Sequence, residues 1–276
     1  MFQVSANQGV TCVKMGKAVL GRTIRATCSF IVDGLAVEGG SPYFKTKLHA
    51  FYLENKPDQA VFTHCHEDHA GNVDLFNLLG IVPYAHQEAV NYLSSPPVIP
   101  YYRRFVWGTP AAGRSQIVRE VIKTEKYVFQ VIASPGHSAD HLCLYEKKEG
   151  WPFTGDLYVG EKIFYLYQNE DLPKMKETLK KLAKLNFSTL FCSHRGRLQK
   201  GPEALTRKLL HIETLEEKAK ALQLKGFSLS DITRQLLGKK DYMRIISKGE
   251  FSKTALIAAL LNPGQEGSLI IQPPKK

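Results

Sequence analysis

No apolar stretch in this chain approaches about 18 residues, so no membrane-crossing helix is expected. No CxxC pair occurs, and the five cysteines (Cys12, Cys28, Cys65, Cys143, Cys192) are odd in number. Both facts argue against a disulfide framework and for a reducing compartment. The first residues lack the basic-then-apolar pattern of a secretory leader. No internal repeat is found. The basic residues also lack the aromatic interleaving of a base-stacking platform. These absences predict a cytoplasmic protein with no membrane partner.

The 276 residues are 43% hydrophobic, which suits one large α/β domain with or without a small appendage. The formal charge of +11 is uneven. Residues 197–276 hold 15 Lys/Arg against 8 Asp/Glu, a net +7, and the first 196 hold 22 against 18, a net +4. A basic tail can attract nucleic acid, although a solvated lysine-rich surface accounts for the same count.

The first two-thirds alternates strand-like and helix-like segments. Strands are expected at 27–32, ending at Asp33-Gly34, and at 59–63, 81–85, 127–133, 142–146, 151–154 and 189–192. Helical spacing connects Phe44, Leu48, Phe51 and Tyr52, recurs over 71–79 and 86–93, and returns in Met175, Leu179, Leu182 and Leu185. Residues 94–115 break the rhythm with Pro96, Pro97, Pro100, Tyr101, Tyr102, Arg103, Arg104 and Trp107. A long irregular connection of this kind is a lid or substrate wall, or a surface excursion. From Gly201 the pattern is helical, with a long charged helix to about Leu224. A capped helix follows at 232–237, where Ser228 and Asp231 match the S-x-x-[DE] pattern, and a last helix at 252–261. Residues 267–276 are expected to fray. The reading divides the chain into a catalytic domain, 1–200, and a helical C-terminal domain, 201–276.

The densest chemistry is His64-Cys65-His66-Glu67-Asp68-His69. Crowding such groups is costly unless a cation holds them. In extended chain His64 and His66 point the same way. Asp68 and His69 need a sharp turn to aim nearby, so one short loop can serve two ions. Cys65 points away from its neighbours and reads as core. Three more candidates, His137, Asp156 and His194, also fall just past expected strand ends, where ligand-holding loops converge. Imidazoles and carboxylates suit Zn²⁺, with Mn²⁺ or Fe possible at the same donors.

The set His64-x-His66-x-Asp68-His69, Pro135-Gly136-His137, Gly155-Asp156 and Ser193-His194 resembles the metallo-β-lactamase superfamily over about residues 26–196. The resemblance implies a four-layer αββα sandwich with a dinuclear site. In that arrangement His64, His66 and His137 hold one metal, Asp68, His69 and His194 hold the other, and Asp156 bridges them. It also implies that Asp33 orients a ligand histidine, whereas the sequence equally fits a turn residue before Gly34. His141, four residues after His137, is a candidate proton donor or substrate contact, or simply a packed polar residue. Asp68 is a candidate proton shuttle.

Hydrolysis of a small-molecule ester, thioester, lactone or phosphodiester is the leading expectation. Two alternatives stand beside it. Persulfide dioxygenases of the same superfamily keep this motif with a single iron, and an RNA-binding endoribonuclease would use the basic tail. The substrate-binding signature of glyoxalase II is not evident. Secreted β-lactamase activity fits poorly with Asp68-His69 and the missing leader.

Overall fold

The computed structural model describes residues 1–262, and the expectation for 267–276 lies outside them. The chain forms two compact units. Among the described residues, the first gathers 1–134, 139–159 and 186–201, and the second 135–138, 160–185 and 202–262.

In the first unit a seven-stranded sheet runs Phe2–Asn7, Val10–Met15, Thr27–Val32, Leu35–Val37, Gln59–Val61, Tyr84–Ala85, Gln116–Ile117 from edge to edge. Its early strands are antiparallel hairpins. The later ones pair parallel, from Leu35–Val37 with Gln59–Val61 onward. The tight turn between Thr27–Val32 and Leu35–Val37 is Asp33-Gly34, with φ of 47° and 76°. Positive φ at both central residues is what a two-residue hairpin turn requires, and Asp-Gly supplies it at little cost. The second sheet has six strands: Val121–Lys123, Val128–Ala133, Leu142–Glu146, Trp151–Phe153, Thr189–Cys192 and Gly196–Gln199.

The period-2 rule decides which face each strand residue covers. Leu35, Val37 and Val61 face the second sheet and join Phe30, Phe129, Leu144, Phe153 and Phe191 in one core. Within it Phe153 stacks on Phe191 at 4.6 Å, and Phe30 meets both edge-on at 5.5 and 5.7 Å. Each fully buried ring contributes on the order of 1.5–3 kcal/mol from burial alone. The intervening residues, Ala36 and Ala60, face the other way, toward the helices Lys45–Glu54, Val73–Leu78 and Gln87–Ser94. Their small side chains leave room for Leu48, Tyr52 and Phe76.

Three local expectations need correction. The segment 94–115 is not irregular throughout: it contains the helix Tyr101–Trp107. The strand expected at 81–85 is limited to Tyr84–Ala85. Residues 71–79 start their helix at Val73, after the separate short helix Glu67–Ala70. The strand Phe2–Asn7 adds to the expected elements: its residues alternate apolar and polar, the period of a strand, but all after Phe2 are exposed on the edge of the sheet.

In the second unit the helix Leu172–Leu182 buries Leu172, Met175, Leu179 and Leu182. It is tied to the long helix Gly201–Leu224 by the ion pairs Lys176–Glu216 and Lys180–Glu213. Two helices, Leu229–Leu237 and Lys253–Leu261, follow. Ser228 caps the first by accepting from Asp231 N at 3.2 Å, as its sequence pattern predicts. A two-stranded ribbon joins Leu166–Tyr167 to Phe251–Ser252. Among the described residues no helix is long and apolar enough to cross a membrane.

Candidate metal centre

The strand Gln59–Val61 delivers Phe62 and Thr63 to the edge of the sandwich, and the histidine hexapeptide begins there. His66 stands at φ −61°, ψ 150°, and the next residue opens the helix Glu67–Ala70. That change from extended to helical backbone is the turn the spacing required. It leaves His64 Nε2 3.0 Å from His66 Nδ1. It also brings the His64 and His69 rings to 4.1 Å between centroids, tilted by 44°.

Asp156 and His194 arrive from the second sheet. Gly155 precedes Asp156 at φ 49°, and a Cβ there would sit 2.6 Å from His141 Nε2 and 2.7 Å from Thr63 Oγ1. Only glycine lets this backbone pass so closely. The carboxylates and imidazoles then converge. His69 Nε2 is 3.4 Å from an oxygen of Asp68 and of Asp156. His194 Nε2 is 3.1 Å from Asp156 and 3.6 Å from Asp68. Two three-residue groups, His64/His69/Asp156 and Asp68/His69/His194, each bring one ligand atom per residue within 4.8 Å of one another.

The outward bonds of the rings are as informative as the inward distances. Thr63 Oγ1 donates to Glu38 Oε1 at 2.6 Å. With its single proton committed, it accepts from His64 Nδ1 at 3.0 Å. His69 Nδ1 donates to Glu38 Oε1 at 3.0 Å, and His194 Nδ1 donates to the Ala26 carbonyl at 2.6 Å. Each of the three rings therefore carries a proton on Nδ1; Nε2 of His69 and of His194 faces Asp68 and Asp156, and Nε2 of His64 faces His66 Nδ1. That polarity is how imidazole ligands are oriented for a cation. His69 is fully buried, and its Nε2 has no hydrogen-bond partner. A buried ring nitrogen left in this state fits a metal ligand and is otherwise costly.

Electrostatics agree. Burial would raise the Asp156 carboxyl, but His194 and His69 hold it well below the usual carboxylate range. Asp68 is lowered too, since His69 and His194 outweigh its burial. Burial would lower His69, yet Asp68, Asp156 and Glu38 raise it well above the usual imidazole value. The same balance, led by burial and reversed by Asp156, raises His194. The carboxylates demand positive charge here, and protons or metal ions can provide it.

The remaining candidates are anchored by other elements. His137 belongs to the second unit, where its Nδ1 donates to Glu170 Oε1 at 2.6 Å, the same outward anchoring as the other three rings. His141 is buried, donates from Nδ1 to Ser134 Oγ at 2.7 Å, and accepts from Asp156 N at 3.1 Å. Asp33 is a turn residue: its Oδ2 accepts from Lys126 N at 2.6 Å at the far end of its strand from Ala26. The anchoring carboxylate is instead Glu38, which was not singled out in the sequence. It is fully buried, and also accepts from Thr63 N at 3.1 Å and Ser193 Oγ at 3.0 Å. A carboxylate inside the apolar run Leu35-Ala36-Val37-Glu38 is the one local signal that marks it. Cys65 packs against the helical core as expected, and its N donates to the buried Asp140 at 2.7 Å.

The helix within 94–115 reaches the centre. Trp107 lies 5.8 Å from the His194 ring, between centroids, and its carbonyl accepts from Ser41 Oγ at 2.6 Å. Arg103 grips Glu67, the neighbour of Asp68, with two bonds of 2.8 and 2.6 Å.

A family model of the metallo-β-lactamase superfamily matches residues 39–194. The chain belongs to the metallo-β-lactamase superfamily. Its relatives include a hydroxyacylglutathione hydrolase of Serratia proteamaculans, 30% identical over 67% of this chain and 67% of that protein. A thioesterase of Emericella nidulans is 25% identical over 62% of this chain but only 45% of its own length. Among solved structures, a metallo-β-lactamase family protein from Thermus thermophilus matches with a TM-score of 0.68 over 92% of this chain and 93% of the other, at 17% identity. A β-lactamase domain protein from Burkholderia ambifaria matches with a TM-score of 0.70 over 93% and 85%, at 16% identity. The fold is the αββα sandwich of this superfamily, with a helical C-terminal region, and its His/Asp cluster could hold metal.

Proposed function

We propose that the protein is a metal-dependent hydrolase with a dinuclear centre, acting on a thioester or a related acyl substrate. The observation that carries this reading is the shared anchoring of the histidines: His64, His69 and His194 each fix Nδ1 outward, and Nε2 of His69 and of His194 lies beside Asp68 and Asp156. We assign His64, His66 and His137 to one ion, Asp68, His69 and His194 to the second, and Asp156 to both. Zinc suits these donors best, with manganese or iron as substitutes. Such ions acidify a bound water to near neutrality and polarise an acyl oxygen.

The residues around them have separate tasks in this reading. Glu38 sets the tautomers of His69 and, through Thr63, of His64. His141 positions the Asp156 backbone in this reading, with its two ring nitrogens engaged by Ser134 and Asp156. Asp68 remains the group placed to carry a proton to the leaving group. The relatives named as a hydroxyacylglutathione hydrolase and a thioesterase support the thioester class.

The test is metal content together with hydrolysis of thioesters, lactones and phosphodiesters, before and after chelation. The expected result is about two equivalents of zinc per chain, activity lost with the metal and restored by adding it. Undiminished hydrolysis by protein verified as metal-free would rule the proposal out.

A further inference from the structure

A second feature of the first unit lies outside the histidine centre. A groove of about 530 Å³ opens between the edge strand Phe2–Asn7, its neighbour Val10–Met15 and the strand Gly196–Gln199. Lys14, Arg195 and Arg197 line it together with Cys12, and none of the lining side chains is acidic. Arg197 gives Nη2 to Gln8 Oε1 at 2.8 Å, while its buried Nε has no hydrogen-bond partner. A groove with three cations and an unsatisfied guanidinium donor fits an anion, above all one bearing carboxylates.

Cys12 lines the groove, and a second thiol, Cys28, lies behind it in the core. Cys12 is half-buried and Cys28 fully buried, and each sulfur lies 3.8 Å from the point a Cβ on Gly196 would occupy. Gly196 crosses beside both sulfurs at a φ of 76°. A hydrogen bond from the Cys28 thiol holds Cys12 below the usual thiol value; Lys14 helps and burial opposes. The same bond, with burial, pushes Cys28 up. Of the remaining cysteines, Cys143 and Cys192 are fully buried. Burial and the neighbouring Asp140 raise the Cys65 thiol well above its ordinary value. Cys12 is therefore the thiol that combines access, cations and thiolate character, the three conditions for reaction.

We propose that Cys12 is a thiolation site for a low-molecular-weight disulfide that carries carboxylates, docked on Lys14, Arg195 and Arg197. The Cys12 thiolate attacks one sulfur of that disulfide. A new bond joins Cys12 Sγ to the attacked sulfur, the original S–S bond breaks, and the departing thiolate takes a proton from solvent. Cys12 is oxidised and the released half is reduced, so atoms and electrons balance. Cys28 does not displace the adduct: Cys12 faces Phe30 and Cys28 faces Lys14 across the strand pair. The two thiols are thus diagonal neighbours, a placement that strains a direct bridge.

The experiment exposes the full chain to oxidised glutathione and, in parallel, to the neutral bis(2-hydroxyethyl) disulfide, with adducts located by peptide mass mapping. Glutathione is expected on Cys12 and absent from the Cys12→Ser protein. In the Arg195→Ala/Arg197→Ala protein, whose folding is checked by its melting curve, the anionic reagent should slow by about tenfold. The neutral reagent should be little changed, and added salt should narrow the gap between the two. Equal sensitivity to both reagents, an adduct mapped to Cys65, no adduct at all, or a Cys12–Cys28 bridge as the end product would each overturn the assignment.

Discussion

Glu38→Gln is the sharpest probe of the centre, because it keeps size and burial and changes only charge and donor pattern. In the native protein Oε1 accepts from Thr63 Oγ1, His69 Nδ1 and Ser193 Oγ, and Oε2 accepts from Thr63 N at 3.1 Å. A glutamine has one acceptor oxygen. If it faces the first three donors, its NH₂ is pressed against Thr63 N–H. If it faces Thr63 N, the NH₂ confronts His69 Nδ1–H, and the ring must move its proton to Nε2. Either way a hydrogen bond to a charged group is lost, on the order of 1.5–3 kcal/mol. A histidine freed from its anchoring partner loses about 10–100-fold in metal affinity, and a hundredfold corresponds to about 2.7 kcal/mol. The assay is chelator competition for zinc on wild-type and variant protein, with thermal melts of both metal-free forms to separate affinity from folding. Unchanged zinc affinity in a folded variant would show that Glu38 does not set the His69 tautomer.

Other outcomes are expected at separate sites. Gly155→Ala places a Cβ 2.6 Å from His141 Nε2 at a φ of 49°, so a loss of at least about 1–3 kcal/mol in stability, together with weakened metal binding, should appear in melting and metal analysis. Arg103→Met strands the Glu67 carboxylate, whose side chain is 1% exposed. Denaturant titration should show a loss of roughly 3–5 kcal/mol, largely recovered in the Arg103→Met/Glu67→Gln double variant. Glu216 tests the second unit. Burial alone would raise its pKa, but Lys176 and Lys220 hold it below the usual value. A lowered folded pKa means this stability is present above the unfolded value and fades as pH falls through the folded one. Glu216→Gln should therefore cost about 1 kcal/mol at neutral pH and nothing once the pH is below both values. A deficit that persisted in acid would contradict that cause.

The residues decided a great deal before folding was considered. The crowding of His64, His66, Asp68 and His69, and the strand ends before Asp156 and His194, reflect side-chain type and period, which are local properties. The Asp33-Gly34 turn and the Ser228 cap were legible for the same reason, since φ preference and capping depend on a few adjacent residues. The helix inside 94–115 was obscured by its flanking prolines and glycine, although Pro100 stands just ahead of its first turn.

Glu38 shows what only tertiary structure could decide. Its partners Thr63, His69 and Ser193 are 25, 31 and 155 residues away, and no window of sequence joins them. His141 could be singled out as a titratable group, but its task follows from Ser134 and Asp156 occupying both nitrogens. The groove around Cys12 likewise needs residues 195–197 brought beside strands from the start of the chain. Sequence alone determined which chemical groups were available and which strand ends would present them. Folding decided where each ring keeps its proton, because that depends on a hydrogen-bond partner brought in from far along the chain.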